Sequence, residues 1–151
     1  VLILDLDVHQ GDGTIDICKK YSSIFTCSVH SESNFPYEKK QGSMDISLQS
    51  EIKDEEYLQI LNSTIKTIQK KVIPDIVLYD AGVDVFADDK LGNLKLSLEG
   101  IKKRDHLVLD HFRKLDIPVA TVIGGGYSKD IQELANRHSI IFETALNFLK
   151  K

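Results

Sequence analysis

Short apolar runs alternate with amphipathic stretches along most of the chain. VLILDLD, residues 1–7, is almost continuously apolar, the pattern of a strand covered on both faces. Gly11-Asp12-Gly13 punctuates it, and Thr14 is placed to cap a short helix running toward Lys20. SIFTCSVH, residues 23–30, predicts a second strand, followed by a loop through 31–42 with Asn34, Pro36 and Gly42 as breakers. Asp54 predicts the N-cap of a long helix, because Tyr57, Leu58, Leu61, Ile65, Ile68 and Val72 recur at helical spacing before Pro74 closes it. DIVLYD, residues 75–80, reads as another buried strand. Ser97 opens a helix with Glu99 in its first turn and Arg113 and Lys114 near its end. PVATVI, residues 118–123, predicts a strand closed by Gly124–Gly126, and a last helix falls within 129–149. Strands alternating with helices define an α/β fold with a mostly parallel sheet and helices on both faces. No repeat, low-complexity tract or linker divides residues 1–151.

Composition narrows the function classes. The chain is 42% hydrophobic and 28% charged, enough apolar material for a sizeable core. A net charge of −4 argues against direct nucleic-acid binding, which needs a basic footprint. The two cysteines, Cys18 and Cys27, form no CxxC, so neither a disulfide framework nor a thiolate zinc site is expected. A reducing compartment follows, the cytoplasm or, in a eukaryote, the nucleus. No secretory leader is expected at the start, and no apolar run approaches the ~18–20 residues that span a bilayer. The chain opens directly in an apolar strand without Met, as expected of a portion of a longer domain.

In such a sheet, ligands gather at the carboxyl ends of the strands. Three strand ends carry unusual residues: Asp5-Leu6-Asp7-Val8-His9, Asp80-Ala81-Gly82-Val83-Asp84 and Gly124-Gly125-Gly126-Tyr127. Alternation along an extended strand would put Asp5, Asp7 and His9 on one side. Carboxylates crowded with an imidazole call for a compensating cation or proton. A lone D-x-H equally suits a turn-capping aspartate and a hydrogen-bonded core histidine. Asp84 tips the balance, because it follows a strand and a glycine at the same end of the sheet. Asp7, His9 and Asp84 then form a three-ligand set that leaves a fourth position for water, as a catalytic zinc site requires. Asp80 competes for the third place, or serves as a structural carboxylate. Ferrous iron suits the same mixed oxygen–nitrogen donors. The glycines let backbone approach a ligand, and Tyr127 beyond them is placed to donate to a developing oxyanion or simply to pack its ring.

These segments together resemble the arginase–deacetylase superfamily and, within it, the zinc-dependent histone deacetylases. DLDVHQGDGT resembles the family's D-x-D-x-H-x-G-[DN]-G segment, DAGVD its third-ligand segment and GGGY its catalytic tyrosine segment. The stretch DAGVDVFADDKLGNLKLSLEGIKKRD looks most like class IV deacetylases and their bacterial relatives. The resemblance implies a partial arginase/deacetylase fold, residues 1–151 being the C-terminal part of one deacetylase catalytic domain. It implies hydrolysis of acyl-lysine amides at one zinc ion held by Asp7, His9 and Asp84, with Tyr127 polarising the acyl carbonyl. Asp5 and Asp12 match carboxylates that orient two active-site histidines. Potassium is implied at Asp5 and the Ser28 hydroxyl, with carbonyls of Asp7, His9 and Val29. Phe35 and Leu91 align with walls of the lysine tunnel, and Gly125 and Gly126 border the substrate.

The family's His-His pair, its general base and acid, lies upstream of the D-x-D-x-H segment and has no counterpart here. His30 matches a structural position, and His106, His111 and His138 fall on predicted helices away from the strand ends. The chain alone is therefore expected to be inactive. Binuclear arginase-type sites need further carboxylates at positions occupied here by Gly11 and Phe86, which excludes that chemistry. An acetylpolyamine or acetoin-utilisation amidohydrolase and a non-catalytic scaffold remain as alternatives. Expected partners are an acylated protein or small acylated amine, with no nucleic acid and no membrane.

Overall fold

The computed structural model describes residues 1–149. Its elements, in chain order, are β1 (Leu2–Asp5), α1 (Asp12–Cys18), β2 (Phe25–Ser31), β3 (Met44–Leu48), α2 (Asp54–Lys71), β4 (Val77–Asp80), α3 (Leu98–Lys114), β5 (Val119–Val122) and α4 (Ile131–Leu149). The strands form one five-stranded sheet in the order β3-β2-β1-β4-β5, every pair parallel. The expected α/β architecture is the observed one.

Each long helix is specified locally. In α2, Asp54, Glu55 and Glu56 sit in the first turn and Lys70 and Lys71 in the last, both ends matching the helix dipole. Its buried stripe is Tyr57, Leu61, Thr64, Ile65 and Ile68. Ser97 caps α3 as expected, its side chain accepting from Gly100 N–H at 3.0 Å. α3 packs against both α2 and α4. Together with Leu2, Leu4, Leu6, Val77 and Tyr79 of the sheet, these stripes form the core.

Several sequence expectations need correction. β3 lies where no element was expected; its Met-Asp-Ile-Ser-Leu pattern is short and half polar because it is an edge strand. α1 starts at Asp12 with Gly11 before it and no side-chain cap, so Thr14 lies inside the helix. Lys53, not Asp54, precedes α2; the Asp54 carboxylate instead accepts from Ser97 N–H at 2.8 Å and Ser97 Oγ–H at 2.6 Å, tying the starts of α2 and α3 together. Only β2 is covered on both faces. Leu78 and Val122 stay exposed; α1, seven residues and about 10 Å long, packs on β2.

Candidate metal centre

The ladder between β1 and β4 ends at the pair Asp5–Asp80, and the two chains then turn. Asp5 Oδ1 accepts from Asp7 N–H (3.1 Å), and Asp7 Oδ1 accepts from His9 N–H (2.8 Å). These local bonds bend residues 5–9 out of the extended form, correcting the expectation that Asp5, Asp7 and His9 share one strand face. The bend swings Asp7 and His9 together and leaves Asp5 outside. Beyond β4, Asp80 Oδ1 accepts from Gly82 N–H at 3.1 Å, and Asp84 arrives fully buried with Oδ1 accepting from Val8 N–H at 2.8 Å. His9 Nδ1 lies 2.9 Å from Asp7 Oδ1 and 3.1 Å from Asp84 Oδ2. Donor atoms of Asp7, His9 and Asp84 all fall within 4.8 Å of one another; Asp80 is not among them and takes the structural alternative.

The surrounding backbone packs closely on the two carboxylates. Gly125 N–H donates to Asp7 Oδ2 at 2.7 Å. A Cβ on Gly125 would lie 2.0 Å from Asp84 Oδ2 and 2.3 Å from Asp7 Oδ2, so only glycine allows this approach. The carboxylates also draw a proton to the place a cation would take. Hydrogen bonds to Asp7 and then Asp84 raise the His9 pKa to about 10 against the opposing effect of burial. Burial pushes Asp7 up, but hydrogen bonds from the His9 ring and backbone outweigh it and hold that carboxyl below its ordinary value. Burial raises Asp84 to about 6, opposed by His9.

Uptake of a metal ion by these donors would expel the His9 proton. Zinc affinity is expected to rise about tenfold per pH unit between about pH 6.5 and 8.5, and more steeply below, where Asp84 also carries a proton. Calorimetric titration in buffers of differing ionisation enthalpy measures the released proton, and pH-independent binding would contradict the arrangement.

Tyr127 stands edge-on to His9, ring centroids 6.0 Å apart, with 41% of the residue exposed. Burial, followed by the charges of Asp84, Asp7 and Asp89, raises its phenol pKa, so it remains a donor at neutral pH. Its backbone is held by a network that the sequence did not reveal. Tyr127 N–H donates to Asp89 Oδ2 at 2.7 Å; Arg137 of α4 reaches the same oxygen at 3.2 Å. Asp89 Oδ1 accepts from Leu91 N–H (3.0 Å) and Gly92 N–H (3.3 Å), so one buried carboxylate fixes both the tyrosine and the 89–92 turn. The spacing of Asp89 three residues before Gly92 was the available signal.

The other expected residues are placed as follows. Asp5 and Ser28 are register partners on β1 and β2; Ser28 Oγ lies 3.0 Å from His30 Nδ1, and Val29 is fully buried beside them. Asp12 opens α1 and does not join the metal cluster. Phe35 and Leu91 are 68% and 54% exposed, and their loops are tied by Asn34 Nδ2–H donating to Leu91 O at 2.5 Å. Gly125 and Gly126 lie between the metal cluster and α4: a Cβ on Gly126 would meet Leu134, Val83 and His138. His138 therefore packs behind the tyrosine-bearing turn, a correction to its expected remoteness. Gly11 has no space for a ligand side chain, since its Cβ would fall 2.2 Å from Asp5 Oδ2, and the Phe86 ring lies under Arg137 with 5.0 Å from guanidinium carbon to ring centroid. Among the described residues, no helix is long and apolar enough to cross a membrane.

Fold and site together define an α/β protein with a candidate mononuclear metal centre at the carboxyl ends of adjacent parallel strands. The histone deacetylase domain profile matches residues 1–142, and the chain belongs to that family. It is 45% identical over 145 residues to an uncharacterized protein of Picosynechococcus sp., covering 96% of this chain and 48% of that one. Histone deacetylase 2 of Arabidopsis thaliana is 30% identical over 132 residues, covering 85% and 34%. In three dimensions the chain is similar to an acetylpolyamine aminohydrolase from Burkholderia pseudomallei (TM-score 0.79, 19% identity, 95% of this chain and 44% of that one). It is also similar to a histone deacetylase homolog solved with SAHA (TM-score 0.75, 24% identity, 95% and 41%). The chain thus spans less than half the length of these relatives.

Proposed function

We propose that the whole protein hydrolyses the amide of acyl-lysine side chains at one zinc ion held by Asp7, His9 and Asp84. The observation that carries this reading is the convergence of those three donors within 4.8 Å, with the Tyr127 ring edge-on to His9. When bound, the metal acts as a Lewis acid on the acyl oxygen and activates water near neutral pH. Tyr127 donates its phenolic hydrogen to the oxyanion that develops on the acyl carbon's oxygen. Phe35 and Leu91, exposed on tied loops, flank the aliphatic stem of the lysine, and Gly125 and Gly126 border the acyl group. Asp5, Ser28 and the carbonyls of Asp7, His9 and Val29 would hold potassium under the site, and Asp5 and Asp12 would orient the histidine base and acid. In this reading residues 1–151 are the C-terminal part of a class IV or bacterial-type deacetylase domain, working in the cytoplasm or nucleus. In this reading a His-His pair from outside these residues would supply the base and acid.

The test is turnover by the zinc-loaded whole protein on an acetyl-lysine peptide beside an acetylated polyamine. Hydrolysis of the peptide, lost on chelation and restored by zinc, is expected. Turnover of the polyamine alone would replace the substrate assignment, and metal binding without turnover would make the protein a scaffold.

A further inference from the structure

Lys102, Lys103, Arg104 and Asp105 look in the sequence like the solvated face of a helix, yet Arg104 is fully buried and Asp105 nearly so. Burying a guanidinium costs several kcal/mol of hydration, so it persists only where its donors are fully used. Nε–H donates to Asp105 Oδ1 at 2.9 Å, and Nη2 forms an ion pair with the same oxygen at 2.9 Å. The same oxygen accepts from Tyr79 O–H at 2.5 Å. The remaining donors reach three backbone carbonyls: Nη1–H to Gly82 O at 2.6 Å and Leu6 O at 3.3 Å, and Nη2–H to Ala81 O at 3.2 Å.

Those carbonyls sit where the sheet stops. The last rung joining β1 and β4 is Leu6 N–H to Asp80 O at 3.1 Å. Leu6 immediately precedes Asp7; Ala81 and Gly82 lie between β4 and Asp84. Gly82 also packs directly on Asp7: a Cβ there would fall 2.7 Å from Asp7 Oδ2 and 2.8 Å from Asp7 Cα. A shift of the Gly82 peptide is therefore transmitted to a ligand carboxylate.

We propose that Arg104 is a positioning residue for the metal centre, its planar fork clamping the two ligand-bearing strand ends at a fixed separation. The inference rests on the metal-centre reading. Lysine offers a point charge in place of a fork and cannot reproduce this set of directed bonds to three carbonyls. Support behind the ligands usually governs metal affinity tenfold to about a hundredfold.

The experiment measures zinc affinity by chelator competition and the visible spectrum of the cobalt-substituted whole protein, in the wild type and in Arg104→Lys. Leu61→Ala, in the core on α2, serves as a destabilised control. Arg104→Lys is expected to bind zinc about 10–100-fold more weakly and to shift the cobalt bands, whereas Leu61→Ala lowers the melting temperature with affinity and spectrum unchanged. Should the lysine variant not fold, Arg104→Met with Asp105→Leu and Tyr79→Phe removes the three buried polar side chains together and carries the same comparison. Wild-type affinity and spectrum in the folded Arg104 variant would overturn the inference while leaving the metal centre standing. A wild type that takes up neither zinc nor cobalt would overturn the metal centre itself.

Discussion

In the whole protein, replacing Tyr127 by phenylalanine is expected to lower the proposed turnover of an acetyl-lysine peptide by about 10²–10³-fold, the usual cost of deleting one oxyanion donor. The substitution removes one oxygen and little else. The backbone of residue 127 is held through its N–H by Asp89, and the edge-on contact with His9 needs only the ring. Zinc content and stability should therefore match the wild type. Because the phenol interacts with charge that develops only in the transition state, the loss should appear in kcat with KM little changed. Steady-state kinetics on protein of verified zinc content tests this. A loss under about tenfold would remove Tyr127 from the mechanism.

Gly125→Ala is expected to weaken zinc binding by about a hundredfold or more, at or beyond the upper end of what disturbed ligand orientation costs. The added methyl would meet Asp84 Oδ2 and Asp7 Oδ2 at 2.0 and 2.3 Å, well inside contact distance, so both carboxylates must turn away from the metal. The alanine keeps the N–H that donates to Asp7, which separates steric exclusion from loss of a hydrogen bond. Chelator competition measures the effect, and affinity within threefold of the wild type, roughly 0.6 kcal/mol, would show that the site is not shaped as described.

The candidate metal cluster was legible in the sequence because Asp7 and His9 follow one apolar strand, Asp84 follows another strand and Gly82, and parallel sheets place such ends together. The route was less legible. Alternation puts Asp7 and His9 on one face of a strand, but the strand stops at Asp5 and aspartate-to-backbone bonds bring the two side chains together instead. β3 escaped detection because an edge strand half open to solvent carries no strong period. Arg104 and Arg137 were hidden for a different reason. Charges on helices and loops usually face water, and nothing local distinguishes one whose partners are backbone carbonyls or carboxylates far along the chain.

The two halves of the candidate site lie far apart in sequence, His9 and Asp84 being separated by 75 positions. No isolated segment can therefore assemble it; the donors meet only after β1 and β4 have paired. A cation held there would bind the folded chain and not the unfolded one, adding roughly 2.7 kcal/mol when its free concentration is about a hundred times Kd. Cellular metal supply would then govern how much of the protein escapes unfolding and proteolysis. Starvation for the ion would reduce abundance as well as activity.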